Sequence, residues 1–254
     1  MNGIGQWTLV SYLIDKLGVS GTLVATAITM GGVLLCVILP YLLGSFNFGL
    51  IISRKKYHDD IRAHGSGNAG TTNMLRTYGV KAALLTLLGD MAKAVLAVSL
   101  GYLIVGTNVE LADTTTGQIY HYKDQFGAAI AGLFVMLGHM FPIFYRFRGG
   151  KGVATSAMVI LMISPISFVF CLLIFVIIVV GTKYVSLASI MSVIFYPIIL
   201  TAFSGGQNPT ASMIAVFMAV LVVFMHRENI KRLREGKESK LKLRNKKGSP
   251  SEES

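Results

Sequence analysis

The sequence predicts an all-α, polytopic integral membrane protein of about seven helices, some of them short or broken. Only 14% of its residues are charged and 53% are hydrophobic, whereas soluble domains average about a quarter charged. Most of its apolar stretches are long enough to cross about 30 Å of hydrocarbon. These stretches are residues 22–43, 80–105, 126–144, 153–181, 184–204 and 208–225. We therefore expect a single membrane-embedded domain over residues 1–238.

The first 21 residues are predicted to form an external extension before the first membrane helix. Apolar side chains recur there at helical spacing, which predicts a short amphipathic helix on the outer surface; a frayed extension is the alternative. They are Trp7, Val10, Leu13, Ile14 and Leu17. Because no basic region precedes the first apolar stretch, a cleaved signal peptide is not expected.

The placement of charge predicts which loops face the cytoplasm. Lys and Arg concentrate in residues 54–81, 146–151 and 227–247, and positive residues beside membrane helices mark the cytoplasmic side. The loop 106–124 carries Lys123 as its one cation among acidic residues and is predicted to be external. The basic residues behind the net charge of +11 thus lie where they attract anionic lipid headgroups, and nucleic acid is not an expected partner.

A turn inside the stretch 153–181 is needed to bring the basic C-terminal segment to the cytoplasmic side. Ser164-Pro165 supplies it, because proline removes a helix hydrogen bond and disfavours helix in the residue before it. The sequence therefore predicts two short arms, 153–163 and 165–181, with the N-terminus outside and the C-terminus inside. Residues 239–254, basic and then rich in Ser and Glu, are predicted to be a disordered cytoplasmic tail.

A polar, glycine-rich loop, Gly65 to Asn73, lies between two apolar stretches. Glycines let successive backbone N–H groups converge on an anion, and amide and hydroxyl side chains add donors. The donor residues of this loop are Gly65, Ser66, Gly67, Asn68 and Thr72, followed by the cation Arg76. A flexible linker is the alternative interpretation. The loop is not a Walker A motif, because Thr71 rather than Lys follows Gly70.

A second glycine-rich turn, Arg148 to Gly152, carries Lys151 between Gly150 and Gly152. The backbone can approach a ligand closely there, which favours contact between Lys151 and a phosphate. We expect Gly150 to contribute to the same site.

Other polar residues of the membrane segments are open to two interpretations. Asp90 and Lys93 lie three residues apart in an apolar helix, as a structural ion pair or as functional groups. His139 ends another helix, where packing at the interface is the commoner role. Ser186 and Ser189 open a helix and either assist a pocket or pack against neighbouring helices.

His226 and Asn229 follow the last apolar stretch and share one helical face. A basic helix on anionic lipid explains the cations around them but does not require this pair. Cys36 and Cys171 both lie in apolar stretches and indicate neither a metal site nor a disulfide, and no cofactor is expected.

Together these motifs resemble the bacterial membrane glycerol-3-phosphate acyltransferases that use acyl phosphate as donor, the PlsY family. The resemblance covers about residues 33–238. It is carried by Gly44-Ser45 with Phe48-Gly49, Gly65 to Asn73 with Arg76 and Gly79, Asp90 with Lys93, Gly138-His139 with Phe141-Pro142, Gly149 to Thr155, Val185 to Ser189, and His226-Arg227, Asn229-Ile230, Arg232-Leu233, Gly236 and Glu238. Departures from the family pattern, such as Thr71 in place of Ala, remove no charged or donor residue.

The resemblance implies a seven-helix enzyme of the bacterial cytoplasmic membrane with its active site facing the cytoplasm. The implied reaction transfers a fatty acyl group from acyl phosphate to the 1-hydroxyl of sn-glycerol 3-phosphate. It gives lysophosphatidic acid and phosphate, the first acylation step of phospholipid biosynthesis. Membrane lipid and the soluble enzyme that makes acyl phosphate are the further partners considered.

The resemblance also assigns residues to roles. Ser66, His226 and Asn229 are implied to be catalytic, and Arg76 and Lys151 to bind phosphate. Glu238 is expected to hold the C-terminal segment in place. His226 has a suitable pKa for a general base, with Asn229 orienting it; the alternatives are that His226 is a phosphate ligand and that a substrate phosphate oxygen takes the proton itself. The rival functions are a transporter for an organic phosphate and a non-catalytic membrane scaffold.

Overall fold

The computed structural model describes residues 8–18, 21–105, 107–112, 119–205 and 208–241. In this part of the chain the helices are α1 Leu9–Lys16, α2 Thr22–Ser45, α3 Phe48–Tyr57, α4 Thr71–Tyr78, α5 Val80–Ile104, α6 Phe126–Met140, α7 Val153–Ile163, α8 Pro165–Thr182, α9 Val185–Ser204, α10 Pro209–Met225 and α11 Arg227–Arg234. Single 3-10 turns lie at Ile61–Ala63 and Ile143–Tyr145, and two strands, β1 Thr107–Ala112 and β2 Ile119–Asp124, complete the elements.

Seven of these helices are the apolar helices that the sequence predicts, so the helical membrane fold class is confirmed. Among the described residues, five helical segments are long and apolar enough to cross a membrane. A sixth, α10, passes the same test only together with α11, from which it is bent by 57°. The seventh, α7, has 11 residues and a length of about 16 Å, half the thickness of the hydrocarbon.

The predicted break at Ser164-Pro165 is confirmed. Helix α7 ends at Ile163, and Ser164 is the N-cap of α8, its hydroxyl accepting the N–H of Ser167. Pro165 occupies the first helical position, where its missing N–H costs no hydrogen bond. The two arms therefore form a hairpin of helices with their shared turn at one end of the bundle.

Small residues allow the central helices to pack closely. A side chain at Gly138 of α6 would collide with the carbonyl oxygen of Tyr41, and one at Gly44 of α2 with that of Val135. Backbones approach this closely in membranes because packing, rather than exclusion of water, drives the association of helices. This contact between α2 and α6 fixes the end of α6, where His139 lies.

The N-terminal helix α1 packs against the bundle. Thr8 caps it through the N–H of Ser11, and Val10 is buried with Cys36, Ile104 and Val105. This agrees with the predicted short helix, although Trp7 lies outside the described residues. Its location on the outer side remains a prediction.

Two local features differ from the sequence prediction. The loop 106–124 contains an antiparallel hairpin, pairing Thr107 with Asp124 and Ala112 with Ile119, which the sequence analysis did not anticipate. The predicted disordered tail also begins too early, because Leu241 donates its N–H to the Lys183 carbonyl. The rest of that tail, 242–254, lies outside the described residues.

Candidate active site

The loops and helices enclose a cavity of about 810 Å³ with one polar and one apolar end. The polar end is formed by the loop 65–73, α4, Lys151 and the segment around α11, and the apolar end by α5, α7, α8 and α9. Most of the predicted site residues line it: Gly65, Ser66, Asn68, Thr72, Arg76, Asp90, His139, Lys151, Ser186, Ser189, His226, Asn229 and Glu238. The structure thus brings together motifs that lie up to 173 residues apart in sequence (Gly65 to Glu238).

Asn73 organises the first glycine-rich loop. Its Nδ2 group donates to the carbonyl oxygens of Ile61, His64 and Asn68, and its Oδ1 accepts the N–H of Ser66 at 3.0 Å. Gly65 has a positive φ of 56°, and a Cβ there would lie 2.3 Å from Asn73 Oδ1. Asn73 belongs to the predicted loop, but the sequence pattern assigns it no role. An amide in the first turn of a helix, directly after a glycine-rich loop, is the local signal that indicates one.

Arg62 joins the first loop to the second. Its guanidinium is paired with Asp60 and also donates to the carbonyl oxygens of Tyr145 and Arg148, each at 3.2 Å. A planar guanidinium suits this role because its donors point in fixed directions. Arg62 is not predictable as a site residue, since nothing in its local sequence pattern indicates a contact some 85 residues away.

Two phosphate-binding candidates, Gly67 and Gly150, do not line the cavity. Gly67 donates its N–H to His64 O at 2.9 Å, and Gly150 donates to His139 O at 3.1 Å. Because both N–H groups are already used, these glycines shape their turns rather than bind a ligand. This corrects the expectation that both contribute directly to the site.

Arg76 projects from α4 into the polar end of the cavity. Its guanidinium donates to Ser239 O at 3.4 Å, a long contact with a neutral group. Among the described residues, no carboxylate lies within ion-pair distance of it. The charge of Arg76 is therefore available to an anionic ligand.

Lys151 is held by a chain of hydrogen bonds rather than by an ion pair. Its ammonium donates to Asn229 Oδ1, and Asn229 Nδ2 donates to Glu238 Oε1 at 2.7 Å. Burial lowers the pKa of Lys151 to about 8, and the positive charge of Arg232 acts in the same direction. Without a ligand, the amide of Asn229 is therefore the partner of this ammonium.

Glu238 collects hydrogen bonds from three sides. Ser186 Oγ donates to Oε1 at 2.8 Å, and Arg232 Nε donates to Oε2 at 2.7 Å, in addition to Asn229. Burial raises the pKa of Glu238, but the hydrogen bonds from Asn229, Arg232 and Ser186 outweigh it and the net shift is downward. A carboxylate bound in this way holds the segment after α11 against α9.

The backbone orients His226. The prediction that Asn229 orients it is wrong. Its Nδ1 lies 2.7 Å from Val222 O. Because a carbonyl oxygen only accepts, Nδ1 carries the proton and Nε2 keeps a free lone pair. Burial lowers the pKa of His226 to about 4. Near neutral pH the ring is therefore an uncharged acceptor at the cavity wall.

The pair Asp90 and Lys93 lies at the inner end of the polar region. Asp90 lines the cavity and Lys93 lies behind it, with Lys93 Nζ 2.9 Å from Asp90 Oδ1. His139 also lines the cavity, with Nδ1 3.0 Å from Lys93 Nζ. These groups form a buried ion pair with a histidine, so their charges largely cancel. The remaining charges at the polar end are three cations, Arg76, Lys151 and Arg232, and one carboxylate, Glu238. The net charge there is positive, which suits an anionic ligand.

The apolar end follows one face of α7 and one face of α8. Val153, Ala157 and Ile160 succeed one another at helical spacing along α7, and Phe168 and Leu172 do so along α8. Leu172 lines the cavity and is itself 46% exposed, and its neighbours Val169 and Leu173 on α8 are exposed as well. An elongated apolar group can therefore extend from the polar end along α7 and α8.

Comparison with known proteins gives consistent results. A family model described as glycerol-3-phosphate acyltransferase matches residues 34–236. A protein of that name from Paraburkholderia phytofirmans is 41% identical over 213 residues, covering 82% of this chain and 90% of the relative. One from Alkaliphilus metalliredigens is 39% identical over 208 residues, covering 82% and 95%.

Two solved structures are also similar. Both are crystal structures of PlsY (YgiH), described as an integral membrane glycerol 3-phosphate acyltransferase. The glycerol 3-phosphate form is 36% identical with a TM-score of 0.68, covering 83% of this chain and 96% of that chain. The lysophosphatidic acid form is 34% identical with a TM-score of 0.67, covering 83% and 95%.

Proposed function

Because the chain belongs to the glycerol-3-phosphate acyltransferase family, we propose that it acylates the 1-hydroxyl of sn-glycerol 3-phosphate from acyl phosphate. The products are lysophosphatidic acid and inorganic phosphate. The observation that supports this most is a single cavity with cations at one end and an apolar channel at the other. Such a cavity suits two phosphorylated reactants of which one carries a fatty chain.

Electrostatic repulsion is the main obstacle to this reaction. The two substrates together bear about four negative charges near neutral pH. Arg76 provides a planar, bidentate donor and Lys151 a compact charge. We assign both to phosphate binding, with the donors of Ser66, Asn68 and Thr72 beside them.

The chemical step needs no acyl-enzyme intermediate, because phosphate is a good leaving group. The 1-hydroxyl oxygen forms a bond to the acyl carbonyl carbon, and the bond from that carbon to the phosphate oxygen breaks. We assign Ser66 Oγ to stabilising charge on the carbonyl oxygen, where one donor is worth about 3–4 kcal/mol.

The hydroxyl proton has two candidate acceptors. Nε2 of His226 is uncharged and free, which suits hydrogen bonding from the attacking hydroxyl. With a pKa of about 4, however, it is a weak base. The leaving phosphate oxygen is the stronger acceptor, so we assign His226 to orienting the hydroxyl and the phosphate to taking the proton.

We also propose that the protein lies in the bacterial inner membrane, with the polar end of its cavity facing the cytoplasm. Arg232 of the basic helix α11 lines this end of the cavity, and a basic helix is expected at a cytoplasmic surface. Acyl phosphate then enters with its chain among α7, α8 and lipid, and the soluble enzyme that makes it is the candidate partner on that side.

The direct test is an activity assay in which purified protein in detergent is given palmitoyl phosphate and glycerol 3-phosphate. We expect phosphate release that requires both substrates and yields lysophosphatidic acid. Flux of an organic phosphate across sealed vesicles without turnover would instead indicate a transporter and refute the proposal.

Arg76→Ala tests the assignment of the site in the same assay. Loss of a charge-assisted hydrogen bond should raise the Michaelis constant for glycerol 3-phosphate about 10- to 100-fold. Arg227→Ala is the matched control, because Arg227 lies on α11 against Phe224 and does not line the cavity. Equal constants for the two variants would remove Arg76 from the substrate site.

A further inference from the structure

Three titratable side chains are buried at membrane depth without a direct part in the proposed reaction. They are Asp90, Lys93 and His139, which are 1%, 4% and 3% exposed. Ionisable groups at this depth are costly and are retained where they have a task. Apolar residues of similar size often give equal or greater stability than a buried ion pair.

Lys93 connects three separate parts of the fold. Its ammonium donates to Gly44 O and Phe46 O, each at 2.9 Å, where the chain breaks between α2 and α3. It also lies 2.9 Å from Asp90 Oδ1 on its own helix and 3.0 Å from His139 Nδ1 on α6. An apolar side chain could fill the same space but could not make these directed contacts.

The ion pair holds the imidazole of His139 in position. His139 Nδ1 lies 3.0 Å from Lys93 Nζ and 3.4 Å from Asp90 Oδ1, so both members of the pair contact the same ring nitrogen. Because both contacts are made to that one nitrogen, they fix the orientation of the ring.

The opposite side of His139 supports the second glycine-rich turn. The carbonyl oxygen of His139 accepts the N–H of Gly150, and that of Met140 accepts the N–H of Gly149, both at 3.1 Å. A Cβ at Gly150 would lie 2.1 Å from His139 Nε2. Only glycine fits against the ring, so the location of the ring sets that of Gly150 and of the next residue, Lys151.

We propose that Lys93 is a positioning residue, which with Asp90 as its counter-ion holds His139 against Gly150 and thereby fixes the Lys151 ammonium in the cavity. The inference rests on the proposed function in that Lys151 binds a substrate phosphate. It adds a residue that never touches substrate yet sets the affinity for it.

The test compares Lys93→Met with Lys81→Met, an exposed lysine at the start of the same helix. In Lys93→Met we expect the Michaelis constant for glycerol 3-phosphate to rise about 10- to 100-fold, the effect of displacing a binding group by about 1 Å. Lys81→Met should match the wild type.

A second readout separates positioning from a purely structural role. The alkaline limb of the kcat/KM profile reports Lys151, and a turn released from His139 exposes that ammonium to water. In Lys93→Met the pKa of the alkaline limb should therefore rise towards the ordinary value for a lysine side chain. The charged and titratable groups around Lys151, namely Arg76, Arg232, Glu238 and His226, are the same in every variant.

Several outcomes would overturn the inference. If Lys93→Met only lowers thermal stability, and the folded fraction keeps the wild-type Michaelis constant and pH profile, the network is structural. Should that variant not fold, Lys93→Met/Asp90→Asn removes the unpaired carboxylate and is judged by the same criteria.

Gly150→Ala gives a decision without touching the charges. The added Cβ must displace His139 or the turn, so it should shift the same two parameters in the same direction; wild-type values would contradict the inference. Wild-type protein and Lys81→Met report separately on the proposed function, because their failure to turn over would sink that function and not the positioning role.

Discussion

At the residue scale, the site depends on how each charge is partnered. Lys151 is bound by the amide of Asn229, whereas Lys93 is bound by a carboxylate. The difference matters because an ammonium with a neutral partner keeps its attraction for a substrate anion, and one already paired with Asp90 does not. Partial burial makes Lys151 sensitive to pH near the physiological range.

We predict that kcat/KM for glycerol 3-phosphate falls as the pH rises through about 8. The pKa of Lys151 is lowered to that value, so above it the unliganded enzyme loses the ammonium that attracts phosphate. A bound dianion favours the protonated form, so kcat should change less than kcat/KM. Initial rates between about pH 6 and pH 10 provide the measurement.

Lys151→Arg is the control for this profile, because a guanidinium stays charged throughout that range. Its alkaline limb should be absent, whatever its absolute activity. A wild-type profile that stays flat to the upper end of the range would show that Lys151 does not control binding.

At the element scale, the segment after α11 closes the polar end. The chain turns at Gly236, which has a positive φ of 68°, and then runs back across the cavity. Glu238 holds it to α9 and α11, and the carbonyl of Ser239 meets Arg76. This short return therefore links the two cations that we assign to phosphate.

We predict that Glu238→Ala raises the Michaelis constant for glycerol 3-phosphate about 10-fold, because three donors lose their acceptor. Asn229 is one of them, so Lys151 loses its fixed partner. Glu235→Ala is the matched control, since Glu235 pairs with Lys237 at the surface. Steady-state rates of both variants decide the point, and the prediction fails if they agree.

The elements differ in how far the sequence predicts them. The break before Pro165 is predictable, because proline excludes a helical hydrogen bond wherever it occurs. The partner of His226 is not, since spacing on one helix shows a shared face but not which group approaches from elsewhere. Arg62 is not predictable for the same reason, because its contacts join two loops that only the fold brings together. The contacts of Asn73 are local, but spacing alone does not show which carbonyl groups its amide reaches.

At the scale of the whole molecule, the bundle holds its polar site below the end of its longest helix. Asp90 lies ten residues into α5, which begins at Val80, so this carboxylate, at the inner end of the polar region, is about 15 Å from that end of the helix. The glycine-rich loop and α4 fill the space above it. The two ends of the cavity thus lie in different surroundings, one near water and one near lipid.

We predict that this end faces the cytoplasm, with the hairpin of β1 and β2 on the other side. A reporter inserted between residues 112 and 119 should be detected outside, and one fused after Met225 inside. Paired fusions to a periplasm-active phosphatase and to a fluorescent protein would measure this. An external signal from the Met225 fusion would invert the proposed orientation.

The exposed position of Leu172 at the apolar end has a kinetic consequence. A fatty donor that enters from the lipid beside α8 is presented as a mole fraction of the bilayer, while its acceptor arrives as a dissolved solute. Saturation by the two reactants is then governed by different concentration scales. Adding inert phospholipid while the amounts of enzyme and of both reactants stay constant lowers the mole fraction of the donor in the membrane. Turnover should therefore slow rather than stay unchanged.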